Sequence, residues 1–515
     1  MISAIQWIRK GVAAQNPEKY NLDEAEYERI NKLAEQHLEE ANQDLSEAKA
    51  MDTDAMDAEA TEATAGAKSS TNEPDLAEFN LEAYDEEIAA DQDKNVNIFS
   101  NKQGLTYYAS NAEDPYITLK DVADDEDERE ELEVLPTDNL IVAAKTEDDL
   151  SHLEIYLYEE SEDNLYVHHD LLLPAFPLCL DWLDFKLGRR AGQPGTGNYV
   201  AVGTFDPDIE IWDLDSLDVM YPDAILGHKD KTKKRLKKVN DKYHVDAVMG
   251  LSWNKNHRNI IASASADTTV KLWDLTTCEC ARSFTHHKDK VQSVQWHPVE
   301  STVLLTGSYD KTVCVFDSRS PDSVNTWKVG ADVESLRWDP HNPTNFYVAT
   351  EDGLIRYYDV RSNQGANAPS LFTLHAHDDA VSSFDVNPLV PGCIVTGSID
   401  KSIKIWDTAD NKPRMVTSRN LGVGKIFSAQ FCTDSPFQLA VAGSKGNLQV
   451  LDLSSNAGVR RAFSNRAGII VPEVAEKQPA ELPDDAEPES EEETEAVADD
   501  NSNHDNDSDM DDDYI

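Results

Sequence analysis

The sequence predicts an all-β fold, a seven-bladed β-propeller with acidic disordered additions, and three periodic observations predict it. An aromatic or apolar residue just before an Asp recurs at Trp212, Trp273, Phe316, Tyr358, Trp406 and Leu451, at intervals of 61, 43, 42, 48 and 45. Most of these fall near the roughly 40–45 residues that one four-stranded blade takes. A second set, Trp253, Trp296, Trp338, Val386 and Phe431, lies 20 residues upstream of its partners. Trp182 lies 30 before Trp212, the excess fitting a loop insertion at 188–197. Third, an Asp stands six residues before the closing position at Asp206, Asp267, Asp310, Asp352 and Asp400, a series that Lys445 breaks. A His stands 29 before it at His244, His287 and His377.

Each blade reads as strands on local grounds. In TGSYDKTVCVFD (306–317) and TGSIDKSIKIWD (396–407) a short apolar run enters a tight turn and leaves as an alternating strand, as period-two burial requires. By their offsets His244, Ser263, Asp267 and Trp273 resemble the hydrogen-bond tetrad of WD repeats. In it the turn Asp orients the His, the His meets the hydroxyl, and the hydroxyl meets the indole N–H. His377, Thr396, Asp400 and Trp406 match it fully. His287, Thr306 and Asp310 match as well, but Phe316 lacks the N–H. A His–Ser–Asp set also reads as a catalytic triad. Recurrence in several blades favours scaffold, because buried polar groups must be satisfied in any case.

Taken in order, the first element is Ala4-Ile5-Gln6-Trp7, which resembles the inner-strand stretch Ser293-Val294-Gln295-Trp296. Residues 1–15 are therefore expected to supply a strand that completes the propeller. Its later partners would be Asn139–Ala144 and Leu153–Glu159, with Tyr156 or Tyr158 near the closing position. An amphipathic helix start fits the same short apolar run. Residues 16–95 are expected to hold a short helix, from the spacing of Tyr27, Ile30, Leu33 and Leu38, and then an acidic disordered stretch. Within it LAEFNLEAYDEEI (76–88) reads either as a docking peptide or as a solvated linker.

Residues 96–470 carry the propeller. GLTYYASNAEDPYITLKD is expected to pack on it, and Asp124–Glu131 marks an exposed acidic loop. The period places blade two at 165–226, three at 244–285, four at 287–328, five at 330–375, six at 377–418 and seven at 421–463. Blades five and seven lack the His. Residues 471–515 are expected to be an acidic disordered tail, where Ser490 and Ser508 could gain charge by phosphorylation.

The acidity belongs to the ends. Of a net charge of −52, residues 1–138 carry −25 and residues 473–515 carry −18. Six cysteines form no CxxC pair, so neither a zinc site nor a disulfide framework is expected. No signal peptide and no run of about 18 apolar residues is present, so neither secretion nor a membrane span is expected. Without GxxxxGK[ST], HExxH or GxSxG in a suitable setting, the reading is not an enzyme, with no cofactor, metal or small-molecule substrate.

One insert has the opposite charge. Gly227-His228 looks like a repeat opening, but the 29-residue offset selects His244, which leaves KDKTKKRLKKVNDKY (229–243) inserted before blade three. Lys229, Lys231, Lys233, Lys234, Arg235, Lys237, Lys238 and Lys242 stand there against two acids. Such a cluster is a candidate for RNA-backbone contact or nuclear import, the alternative being a solvated loop. An arm of this kind binds phosphates rather than reading sequence.

Beyond the repeats, AIQWIRKGVA, GLTYYASNAEDPYITLKD, YVHHDLLLPAFPL, IEIWDLD, LSWNKNHRNIIASASADTTVKLWD and TGSYDKTV together resemble the periodic tryptophan protein 1 family, from the first residues to about 465. The resemblance implies a WD-repeat scaffold in the nucleus and nucleolus that assembles the large (60S) ribosomal subunit on early particles. Its partners would be pre-ribosomal RNA and assembly factors, with ribosomal proteins or histones as further candidates. A chromatin or histone adaptor linked to ribosomal gene expression is the alternative.

Overall fold

The computed structural model describes residues 1–20, 132–227, 240–362, 368–463, 466 and 479–481, together with Tyr27 and Ile30. Seven antiparallel four-stranded sheets follow one another along the chain, with a two-stranded parallel pair between residues 18–19 and 216–217. Blade one joins Ile2–Ile8 to Asn139–Glu147, Leu150–Glu159 and Asn164–Leu173. Blade two runs from Pro177–Leu183 to Ala224–Leu226, three from Val248–Trp253 to Glu279–Phe284, and four from Val291–Trp296 to Ser320–Lys328. Blade five runs from Val333–Trp338 to Phe372–His375 and six from Ser383–Val386 to Arg414–Arg419. Blade seven joins Ile426–Phe431, Gln438–Gly443 and Leu448–Asp452 to Ala480–Glu481. The second and third strands of each blade are almost wholly buried, because both of their faces pack on neighbouring blades.

The first residues form a strand, not a helix start. Ile2, Ile5, Trp7 and Ile8 are all buried, and the strand lies as the innermost of blade one against residues 139–147. Residues 9–20 then run to blade two, where Ala14 N–H donates to Asp215 Oδ1 at 3.0 Å and Tyr20 N–H to the Leu217 carbonyl at 3.0 Å.

Two expected boundaries shift. Residues 165–173, expected to open blade two, belong to the outer strand of blade one, since a strand of that length pairs fully with 151–159. Blade seven, expected to end at 463, instead sends its chain through the helix Ala457–Phe463, whose Val459 and Phe463 are buried in the cluster that includes Ile403, Ile405 and Leu451. Arg466 pairs with Asp407 at 2.7 Å, and the fourth strand returns only at 480–481, inside the stretch expected to be tail. The expected helix at 22–50 apart from Tyr27 and Ile30, the acidic stretch that follows it, GLTYYASNAEDPYITLKD, the loop Asp124–Glu131 and residues 482–515 lie outside the described residues.

Candidate functional site

The tetrads assemble as the offsets require. His244 Nδ1 meets Asp267 Oδ2 at 3.0 Å, its Nε2 meets Ser263 Oγ at 2.6 Å, and Trp273 Nε1–H donates to the same oxygen at 2.8 Å. In blade six the distances are 2.7 Å for His377 to Asp400, 2.7 Å for His377 to Thr396 and 3.0 Å for Trp406 to Thr396. Blade four keeps His287 to Asp310 at 3.1 Å and His287 to Thr306 at 2.8 Å, and stops at Phe316. The hydroxyls of Ser263, Thr306 and Thr396 are fully buried, and two of the three also hold an indole N–H, so no substrate reaches them. These sets are scaffold. A further member went unread in the sequence: the hydroxyl two residues after the Asp (Thr269, Thr312, Ser402) donates to its other oxygen at 2.6, 2.6 and 2.7 Å. The repeated D-x-[ST] was the available signal.

Of the basic insert, Lys229, Lys231, Lys233, Lys234, Arg235, Lys237 and Lys238 lie outside the described residues, and Lys242 is exposed. The described end is pinned. Asn240 Oδ1 accepts the N–H groups of Lys242 and Tyr243, and the Asn240 carbonyl accepts from the buried Lys271 ammonium of blade three. The described residues that flank the insert are the outer strand of blade two, ending at Leu226, and the innermost strand of blade three, beginning at Val248.

Where the innermost strands end, a cavity of about 490 Å³ opens on the axis of the ring. An innermost strand pairs along one edge only, and its free N–H groups need acceptors. In four blades the residue just before the upstream aromatic or apolar position supplies one to the next blade. Asp181 accepts from Trp253 N–H, Ser252 Oγ from Trp296 N–H at 3.1 Å, Gln295 Oε1 from Trp338 N–H at 2.7 Å, and Asp385 Oδ2 from Phe431 N–H at 2.9 Å. Arg337 Nε donates to Asp385 Oδ1 at 3.1 Å, linking blade five to six. Trp7 Nε1–H donates to the Gln430 carbonyl at 3.0 Å, and Ser3 Oγ–H to the Pro177 carbonyl at 2.7 Å, so the first strand closes the ring on both sides. A second set of latches lies just outside: Asn254 Nδ2 to Ser301 O at 2.7 Å, His297 to Pro343 O at 2.6 Å, His341 to Asn387 O at 2.9 Å, and Asn387 Nδ2 to Pro436 O at 2.7 Å.

The mouth is electrically mixed. Burial pushes Asp181 up to about 6, against the opposing pull of the Trp253 N–H, Lys255 and Arg337. Burial also raises Asp385, which Arg337 partly offsets. Lys255 is open to channel water yet ringed by protein; that enclosure lowers its pKa, as do Arg9 and Arg337, while Asp181 and Asp385 oppose them. Among the described residues the mouth joins aromatic side chains to charged groups. The ring of polar residues before the aromatics was visible in the sequence as Gln6, Asp181, Ser252, Gln295, Arg337, Asp385 and Gln430, but nothing there says that they converge.

Seven blades, a repeated His–hydroxyl–Asp anchor and a closed ring of inner strands define a WD-repeat propeller. The sequence matches the WD domain, G-beta repeat family over residues 237–274, 278–317 and 368–407. It is 48% identical over 93% of both chains to an uncharacterized WD repeat-containing protein of Schizosaccharomyces pombe. It is 35% identical to periodic tryptophan protein 1 of Saccharomyces cerevisiae over 90% of both chains. With its Drosophila melanogaster homolog it shares 33% over 90% of this chain and 96% of the relative. The chain belongs to the periodic tryptophan protein 1 family. It also aligns with a Caenorhabditis briggsae protein named as a ribosome biogenesis protein, the WDR12 homolog, at 28% identity over 40% of this chain and 47% of the relative.

Proposed function

We propose that this chain is a non-catalytic platform for ribosome biogenesis in the nucleus and nucleolus, assembling early large-subunit particles by holding pre-ribosomal RNA beside assembly proteins. The observation that carries it is the insert at 229–243, eight basic residues against two acidic in a chain of net charge −52. Acidic ends discourage indiscriminate RNA binding, so a concentrated basic arm directs contact to one place. The name of the WDR12 relative and the family resemblance support the ribosomal setting. The saturated, buried hydroxyls of the tetrads support a platform over an enzyme.

The test is gradient sedimentation of lysate with and without ribonuclease, following this chain beside precursor ribosomal RNA. Comigration with large-subunit precursors that collapses on ribonuclease treatment is expected. Neutralising Lys233, Lys234, Arg235, Lys237 and Lys238 should weaken that association and its salt dependence without changing the melting temperature. Migration with ribonuclease-resistant chromatin fragments would overturn the reading in favour of a histone adaptor.

A further inference from the structure

The channel mouth presents more donors than its own acceptors use. Lys255 lines the cavity and Arg9 stands close enough to repel its charge, and neither makes a hydrogen bond or ion pair among the described residues. Arg337 gives Nε to Asp385 and Nη1 to its neighbour's carbonyl at 3.3 Å, which leaves Nη2 over. In the same wall Trp338 Nε1 and Thr433 Oγ1 are buried without a partner. The two carboxylates are meanwhile committed, Asp181 to Trp253 N–H and Asp385 to Phe431 N–H and Arg337. Spare capacity is therefore of donor type and cationic, and it calls for an anionic oxygen. A peptide tethered to this chain meets the mouth at a higher effective concentration than a free nucleic-acid strand does. Its carboxylate would sit among the donors of a cavity lined by Trp7, Trp253, Trp296 and Trp338.

We propose that the acidic segment 482–515 of this chain docks across the channel mouth, with one of its carboxylates seated among Lys255, Arg9 and Arg337. The segment, which lies outside the described residues, carries sixteen Asp and Glu and no Lys or Arg. It is tethered where Ala480 and Glu481 pair with Val450 and Gln449 as the outer strand of blade seven. Three strand spacings of about 4.8 Å separate an outer strand from an innermost one, and a six-residue strand is about 20 Å long. About a dozen extended residues at ~3.3 Å each cover that path. Tethering raises the effective concentration of carboxylate at the mouth to the millimolar range. Exposed Lys401, Lys425 and Lys445 lie on the opposite face, nearer to the point of departure. Their attraction is screened by bulk solvent, whereas charges enclosed by the ring are screened less.

Carbodiimide coupling of the dilute full-length chain, followed by digestion and mass spectrometry, tests this, because the reagent joins an amine to a carboxylate only when they are in contact. The lowered pKa of Lys255 leaves a larger share of its amine unprotonated than in an ordinary lysine. An amide between Lys255 and a carboxylate of 482–515 is expected, in a yield independent of protein concentration and reduced severalfold by Arg9→Gln. Lys255→Glu, at an accessible site, should keep the melting temperature and speed glutamate-specific proteolysis of the segment at least tenfold. Coupling of the segment to Lys401, Lys425 or Lys445 with Lys255 untouched would overturn the proposal. So would coupling that rises with concentration, which would assign the mouth to a second copy. Protection of Lys255 by single-stranded RNA, without coupling to the segment, would assign it to nucleic acid.

Discussion

Blades three, four and six differ from blades five and seven in how they hold one strained residue. The position after the turn Asp, or after Lys445 in blade seven, is left-handed in all of them: φ is +71° at Thr268, +64° at Lys311, +70° at Lys401, +76° at Gly353 and +84° at Gly446. The three blades with a His anchor keep an ordinary side chain there, at a cost of about 1–2 kcal/mol. The two without it use glycine, which adopts that conformation freely. A turn Asp whose carboxylate accepts three or four hydrogen bonds tolerates strain that an unanchored turn does not. Blade five makes a partial substitute: Arg356 reaches Asp352 at 3.0 Å and Thr350 at 2.9 Å. It does so from the third strand, two residues before the closing aromatic.

The largest effect expected from breaking this difference is Asp267→Ala. It leaves His244 Nδ1–H, Val245 N–H and both Thr269 donors without their acceptor in a site whose Asp side chain is 3% exposed. A loss of about 3–5 kcal/mol follows, seen as a lower unfolding midpoint in denaturant. Asp352→Ala, at a side chain 37% exposed, should cost about 1–2 kcal/mol. Equal losses would refute the claim that the His anchor is the stronger device. Next comes Gly353→Ala, where an added Cβ would sit 2.2 Å from the His377 carbonyl. Gly446→Ala meets nothing nearer than 3.5 Å, so it should cost only the backbone strain of about 1 kcal/mol and Gly353→Ala at least twice that.

Most of the anchored half was legible in the sequence because its chemistry lies within one repeat, at offsets of 6, 10 and 29 residues from the closing position. The closing strand was half legible: Gln6-Trp7 repeats an inner-strand pattern, but seven apolar-rich residues do not choose between strand and helix without a partner, and that partner is some 130 residues away. The fourth strand of blade seven was not legible, since Ala480–Glu481 holds no apolar alternation and owes its place to pairing with Gln449 and Val450. Nor was the mouth, whose residues come from all seven blades. Arg356 was missed because it does the work of a His from a position that in other blades holds Lys271, Cys314 or Lys404.

A smaller effect sharpens the comparison inside the anchored group. Blade four runs its network without an indole, since Phe316 packs on Phe284 at 4.9 Å and His286 at 4.7 Å instead. Trp273→Phe and Trp406→Phe impose the same ending on blades three and six. Each should cost about 1 kcal/mol, the net worth of one neutral hydrogen bond plus a small void, while the His–Asp distance is kept. Thermal melts of the two single variants and the double test this. The losses should add, because the blades share no network.

The smallest effect is one of pH, and it separates blades that look alike. For His287, burial disfavours the charged ring, but the bonds to Asp310 and Cys314 outweigh it and hold the pKa up to about 9. For His244 and His377 burial prevails and the pKa is lowered, with Lys271 and Lys404 adding repulsion to the pull of their Asp partners. Lys271, Cys314 and Lys404 occupy one equivalent position, so a lysine there adds to burial in lowering its His and a cysteine adds to the Asp in raising it. The signs follow from an unfolded value of about 6.5. The His287 contribution is complete below that pH and is lost as pH rises through about 9. Those of His244 and His377 are complete above it and are lost as pH falls toward their lowered values. Carbon-13 imidazole titration of a histidine-labelled chain, assigned with His287→Gln, should show one ring still charged at pH 8 and the other two neutral at pH 7. Three rings titrating together would remove the lysine from the explanation and leave burial alone to set all three.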